Sequence, residues 1–328
     1  MIGKIEQDAN FQKVIDDVLL DCPDFVNGWV INMQASRKTQ STCTEYLRIV
    51  SKFLRDNFEN PKNVKPSDVT SEMIEKYLVN KRTIVVNGNV KRSSDSIQAT
   101  TWYAINSLFK YLKKMKKIDE NPVSVIDAPP QHDRARIQEE AVYISPRQMK
   151  LIINQAAKEK NVVKRNRNVA IIRMLASTGI RKSAFLNITL DDVDLKNKTV
   201  RVLDKGEKYS NKLLGDDTVE ALKNWLDVRD EYNKKDSKYL FLSDHGERIS
   251  ETQLFRITSK ISNDAIGVKL SPHKFRAFYG TTIYNKTGDI ILTKNAMGHS
   301  NVNTTQIYIR KSKDEIKKTV DILESVLK

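Results

Sequence analysis

The sequence is short of the residues that staple, kink or anchor a protein. Only Cys22 and Cys43 occur, with no C-x-x-C pair. Neither a disulfide framework nor a thiolate zinc site is therefore expected, and the two thiols read as reduced and cytosolic. Glycine and proline number 11 and 8, and the long amphipathic patterns they leave unbroken predict a mostly helical protein. No apolar run approaches the ~20 residues that cross a bilayer. The N-terminal stretch MIGKIEQDANFQ is too polar for a secretory leader. Histidine is scarce too. Of four, His132 and His245 lie in polar, turn-like contexts, which leaves His273 and His299.

What the chain has in excess is positive charge. Lys and Arg total 56 against 41 Asp and Glu, a formal net charge of +15. Such a balance favours a polyanionic partner, nucleic acid before an anionic membrane. At 328 residues the chain has length for two domains, each with its own core.

Apolar residues at helical spacing predict helices over 1–36, broken near Cys22-Pro23, and from Thr39 to Phe58. A short helix is expected from Thr70, and another over 97–117 that ends in Lys113, Lys114, Lys116 and Lys117. That lysine cluster is either a solvated helix end or a contact to DNA phosphates. Residues 82–96, with Asn-Gly and small polar residues, read as a loop or short hairpin. Residues 122–142 hold three prolines, mixed charge and little periodicity. The boundary is expected there: a helical domain over 1–125, a linker over 126–142 and a second domain over 143–328.

The second half opens with Ser145-Pro146, a capped helix start. A helix through Val169 and Leu175 should end at Gly179, with Arg181 just beyond. Thr199 to Asp204 alternates like a strand, Lys205-Gly206-Glu207-Lys208 turns, and Tyr209 to Leu214 returns. Further helices are expected at about 216–233, 250–266, 272–287, 289–297 and 312–327. The fold class expected is mainly α with a small β-hairpin or sheet (α+β).

The chemistry gathers between Ser271 and Arg310. Ser271 should cap a helix with its side-chain oxygen, Pro272 takes the first helical position, and His273 and Arg276 lie three apart on one face. His299 follows in Met-Gly-His-Ser, with Tyr308 nine residues later. Arginine grips phosphate oxygens with a planar fork, and histidine moves protons near neutral pH. A tyrosine hydroxyl can be a covalent nucleophile, although with a pKa of about 10 only roughly one in a thousand is ionised at pH 7. Cations and bases beside it are therefore needed, and the natural reaction is phosphoryl transfer onto tyrosine.

Taken together, these pieces resemble the tyrosine recombinases, the family of phage integrases and Xer-type resolving enzymes. The matching motifs are Ser-Thr-Gly-Ile-Arg-Lys-Ser with Arg181, Asp-Lys-Gly with Lys205, His-Lys-Phe-Arg with His273 and Arg276, Met-Gly-His-Ser with His299, and Thr-Thr-Gln-Ile-Tyr with Tyr308. The resemblance implies a helical core-binding domain followed by a catalytic domain, acting on double-stranded DNA as a homo-tetramer on two paired sites. Tyr308 would attack the scissile phosphate to make a 3′-phosphotyrosyl link. Arg181, Arg276 and His299 would hold its oxygens, His273 would accept the tyrosine proton, and Lys205 would protonate the leaving 5′-oxygen, with Lys208 as the rival lysine. No cofactor or metal is implied, and a cytoplasmic, nucleoid-associated enzyme is expected, chromosomal or carried by a mobile element. Two departures stand out: Ala184 occupies the place of the family's usual acid three residues after the arginine, and Ala277 follows Arg276 where a second histidine is common. The tail, with Ile316, Val320, Leu323 and Leu327 in one stripe, either folds back on its own domain or, as the resemblance implies, docks on a neighbouring protomer.

Overall fold

A computed structural model of the chain describes residues 2–86, 88–129, 144–204 and 209–298. The chain divides into two compact units, Met1–Asp133 and Arg134–Lys328. The hairpin tip with Lys205 and Lys208, the segment from His299 onward with Tyr308 and the tail, and most of the expected linker lie outside the described residues.

The first unit holds α1 (Ile2–Leu19), α2 (Asp24–Ala35), α3 (Gln40–Asn57), α4 (Ser71–Asn80) and α5 (Asp95–Lys114). Three of these begin on a hydroxyl that accepts a backbone N–H: Thr39 from Thr42, Thr70 from Met73, and Ser94 from Ile97. The helices close over a core that includes Trp29, Leu47, Phe53, Ile105 and Phe109, with Cys22 and Cys43 buried as free thiols. Between α4 and α5 an antiparallel pair, β1 (Thr83–Val86) and β2 (Asn89–Arg92), turns through Gly88 at a φ of 76°. Lys113, Lys114, Lys116 and Lys117 are exposed at the end of α5.

In the second unit α6 (Pro146–Ala156) starts on a capping box, in which Ser145 and Gln148 each receive the other's backbone N–H. It is followed by α7 (Val162–Thr178), α8 (Lys182–Leu186), the sheet β3 (Val193–Asp194), β4 (Thr199–Leu203) and β5 (Tyr209–Leu213), then α9 (Asp216–Arg229), α10 (Glu251–Ile266), α11 (Pro272–Thr287) and α12 (Ile290–Met297). The C-terminal half of helix α7 is largely apolar, with Ala170, Ile171, Ile172, Met174 and Leu175 all buried, and α6, α9 and α11 pack against the helix. The sheet is antiparallel in the order β3-β4-β5.

The structure departs from the sequence reading in detail. Strand β3 and the single turn α8 were not expected, because elements of two and five residues carry no readable period. Helix α9 stops at Arg229, short of 233, because the chain turns and Asn233 accepts the Ser237 N–H at 2.7 Å. Ser271 is the N-cap of α11, but its side chain makes no capping bond. Its carbonyl accepts the Lys274 N–H instead, at 2.9 Å.

Candidate active site

The site is built where three separate stretches meet at the end of α12. Helix α7 ends at Gly179 in the left-handed region, with φ 59° and ψ 24°. A side chain there would also run into the ring of Tyr279 on α11. Only glycine suits both demands. The turn aims the Gly179 carbonyl at α11, where it accepts from Nη1 of Arg276, and it delivers Arg181 as the N-cap of α8.

Helix α12 starts on Asp289, which accepts the N–H groups of Ile291 and Leu292, and ends at Gly298 with φ 63°. Met297 is fully buried and fills the space over Gly280 of α11, where an added Cβ would strike its sulfur. The last carbonyls of a helix are electron-rich and lack helical partners. Here three consecutive ones each receive a cationic donor. Lys212 Nζ donates to Ala296 at 2.9 Å, Arg276 Nη2 to Met297 at 2.7 Å, and Arg181 Nη2 to Gly298 at 3.0 Å.

The carboxylate of Asp204 completes the cluster. Arg181 Nη1 donates to its Oδ1 at 2.5 Å, and Ser210 Oγ donates to its Oδ2 at 2.7 Å. Asp204 follows β4 directly, whereas Ser210 and Lys212 lie on β5 opposite Val202 and Val200. Burial lowers the Lys212 pKa; Asp204 opposes that shift, and Arg276 and Arg181 reinforce it. His273 stands in the first turn of α11. The residue presents an exposed face, yet the protein round its ring disfavours the charged form, and Arg276, Lys274 and Lys182 act the same way. Its pKa therefore falls below 6.5, which leaves it a neutral imidazole at pH 7.

Of the expected site residues, Arg181 and Arg276 are thus brought to adjacent carbonyls, and His273 lies one turn from Arg276 on the same helix. Lys205, His299 and Tyr308 lie outside the described residues, though Asp204 and Gly298 immediately precede two of them in sequence. Sequence reasoning missed Asp204, Ser210 and Lys212. For Ser210 and Lys212 the readable signal was polar residues on a strand opposite Val200 and Val202, which are buried. Arg181, three residues before Ala184, is paired with the Asp204 carboxylate.

The chain belongs to the phage integrase family, whose sequence profile matches residues 142–315, and it is a tyrosine-type site-specific recombinase. Among its relatives is the tyrosine recombinase XerC of Actinobacillus pleuropneumoniae serotype 7, 29% identical over 228 residues that cover 69% of this chain and 72% of that protein. The XerC of Pediococcus pentosaceus is 24% identical over 296 residues, or 88% of this chain and 92% of the relative. The crystal structure of the XerH site-specific recombinase bound to palindromic difH substrate shares the fold, with a TM-score of 0.64 at 23% identity over 87% of this chain and 80% of that one.

Proposed function

We propose that the chain cuts and rejoins double-stranded DNA through a 3′-phosphotyrosyl intermediate. The phenol oxygen of Tyr308 attacks the scissile phosphorus, the bond to the 5′-oxygen breaks, and that oxygen leaves as a hydroxyl. His273 accepts the phenol proton, and Lys205 supplies the proton to the leaving oxygen; each such transfer contributes roughly 10²–10⁴ in rate. Arg181, Arg276 and His299 hold the non-bridging oxygens. Attack by a 5′-hydroxyl on the phosphotyrosine reverses the chemistry and rejoins strands, so the bond energy is retained. The observation that carries this reading is that Arg181 and Arg276, from different elements, donate to the adjacent carbonyls of Met297 and Gly298. Both guanidiniums are thereby referred to one short backbone segment, which suits two donors that share a phosphate group.

The test is covalent trapping. The chain is incubated with a nicked duplex library carrying a randomised centre, and adducts are separated on a denaturing gel and sequenced. An adduct with the unaltered chain and none with Tyr308→Phe, DNA binding being retained, is the expected result. An adduct that persists in the Phe variant moves the nucleophile elsewhere, with Tyr284 the next candidate. We further propose assembly as a homo-tetramer on two paired sites, joined by the tail after Tyr308, with Lys113, Lys114, Lys116 and Lys117 on the DNA backbone.

A further inference from the structure

The long side chain of Arg181 stands at an edge of the cluster that keeps some solvent contact, its side chain 28% exposed. A free arginine in such a place samples many rotamers, and holding it in one costs side-chain entropy. Two anchors remove that freedom. The Gly298 carbonyl takes one Nη and the Asp204 carboxylate takes the other, so the guanidinium plane is fixed while, among the described residues, no hydrogen bond takes the rest of its five donors. Asp204 is itself held, since Ser210 Oγ occupies its second oxygen and the side chain is only 15% exposed. A residue at 298 with a Cβ would press on the Asp204 carboxylate at 3.3 Å and touch Lys212 Nζ at 3.5 Å. Carboxylate, lysine and carbonyl thus form a close-fitted wall behind the arginine. The neighbouring helical position, Ala184, is buried and has no polar side-chain atom to contribute.

We propose that Asp204 is the positioning residue for Arg181: from the end of β4 it fixes the guanidinium plane in which a phosphate is gripped, with Ser210 locking its second oxygen. This rests on the reading of Arg181 as a phosphate-holding residue. Asp204 does not touch the substrate, and it acts through the arginine.

The experiment is a double-mutant cycle. Rates of adduct formation are measured on the duplex pool recovered by covalent attachment to the unaltered chain. The variants are Asp204→Asn, Arg181→Ala and both together, with Ser210→Ala as a milder probe that leaves the charge in place. Asp204→Asn is expected to slow adduct formation ~10²-fold, the cost of a misplaced catalytic group, while its unfolding midpoint and DNA affinity stay near those of the parent. The double variant should be no slower than Arg181→Ala alone, and Ser210→Ala should give a smaller loss that also vanishes on that background. A methylphosphonate at the scissile position removes the charge that Arg181 faces, so there the Asp204→Asn deficit should shrink to a few-fold. If Arg181→Ala is slow but Asp204→Asn is not, or if the two deficits multiply, this proposal falls and the functional reading stands. If Asp204→Asn does not fold, Ser210→Ala decides by the same cycle. If the unaltered chain forms no adduct, or Arg181→Ala forms it at the parent's rate, the functional reading falls and takes this proposal with it.

Discussion

Arg181 and Arg276 carry the same charge but differ in what their loss would expose. Arg276 is 3% exposed and donates to the carbonyls of Gly179 and Met297. Removing it leaves buried acceptors without a donor, at about 1–3 kcal/mol each. Arg276→Ala should therefore lower the urea midpoint as well as abolish cleavage, whereas Arg181→Ala, which loses one partner of a part-buried ion pair and an exposed carbonyl bond, should lower it less. His273 gives a pH signature. A base must be neutral to accept a proton, and its pKa is lowered from 6.5 by burial first and by Arg276, Lys274 and Lys182 after that. The acid limb of cleavage should lie below pH 6.5, activity rising as the imidazole loses its proton, and His273→Gln should remove that limb from the pH–rate profile. Arg181 and Arg276 were legible because each sits in a motif. Asp204 was not, because its meaning depends on an arginine 23 positions earlier in the chain that only the folded sheet brings to it.

Elements were legible where a local rule fixes them. Ser145-Pro146 gave α6, Thr39 and Thr70 gave two further starts, and Gly179 gave the end of α7. Asn-Gly and small polar residues marked 82–96 as a loop or short hairpin, and the structure has the hairpin, with Val85 paired to Val90. Ser271 misled because a hydroxyl before a proline reads as a cap whether or not the side chain turns to make it. Gly179 also supplies a test at this scale. Gly267 ends α10 at φ 71° with nothing within 4 Å of an added Cβ, while Gly179 at φ 59° also meets Tyr279. Gly267→Ala should cost the left-handed backbone penalty of about 1–2 kcal/mol. Gly179→Ala should cost more, read as a larger fall in the unfolding midpoint, and should slow cleavage by moving the carbonyl that Arg276 holds.

At the scale of the whole molecule the excess of 15 positive charges sets how the chain meets DNA. With roughly 6–10 phosphate contacts, affinity should drop ~10³–10⁵ between 50 and 200 mM salt. Filter-binding across that range checks it, and a flat response would contradict an electrostatic interface. The proposed assembly makes a separate prediction: deleting residues 313–328 should preserve single-site binding and abolish the slow native-gel band of two sites held together. If the truncated chain still pairs sites, the tail serves its own domain.

The end of α12 has one more consequence, which concerns error. Lys212, Arg276 and Arg181 are referred to three successive carbonyls of one backbone segment. When that segment shifts, the shared anchors draw the three cations the same way, while Asp204 and Gly179 hold the two arginines from other elements. Under the proposed reading, a phosphate held by Arg181 and Arg276 responds to the distance between the two guanidiniums and is indifferent to where the pair stands in the molecule. A shared reference therefore holds constant the quantity that is read while letting the rest drift, and a unit built this way tolerates looseness in its surroundings better than one whose arginines were anchored independently.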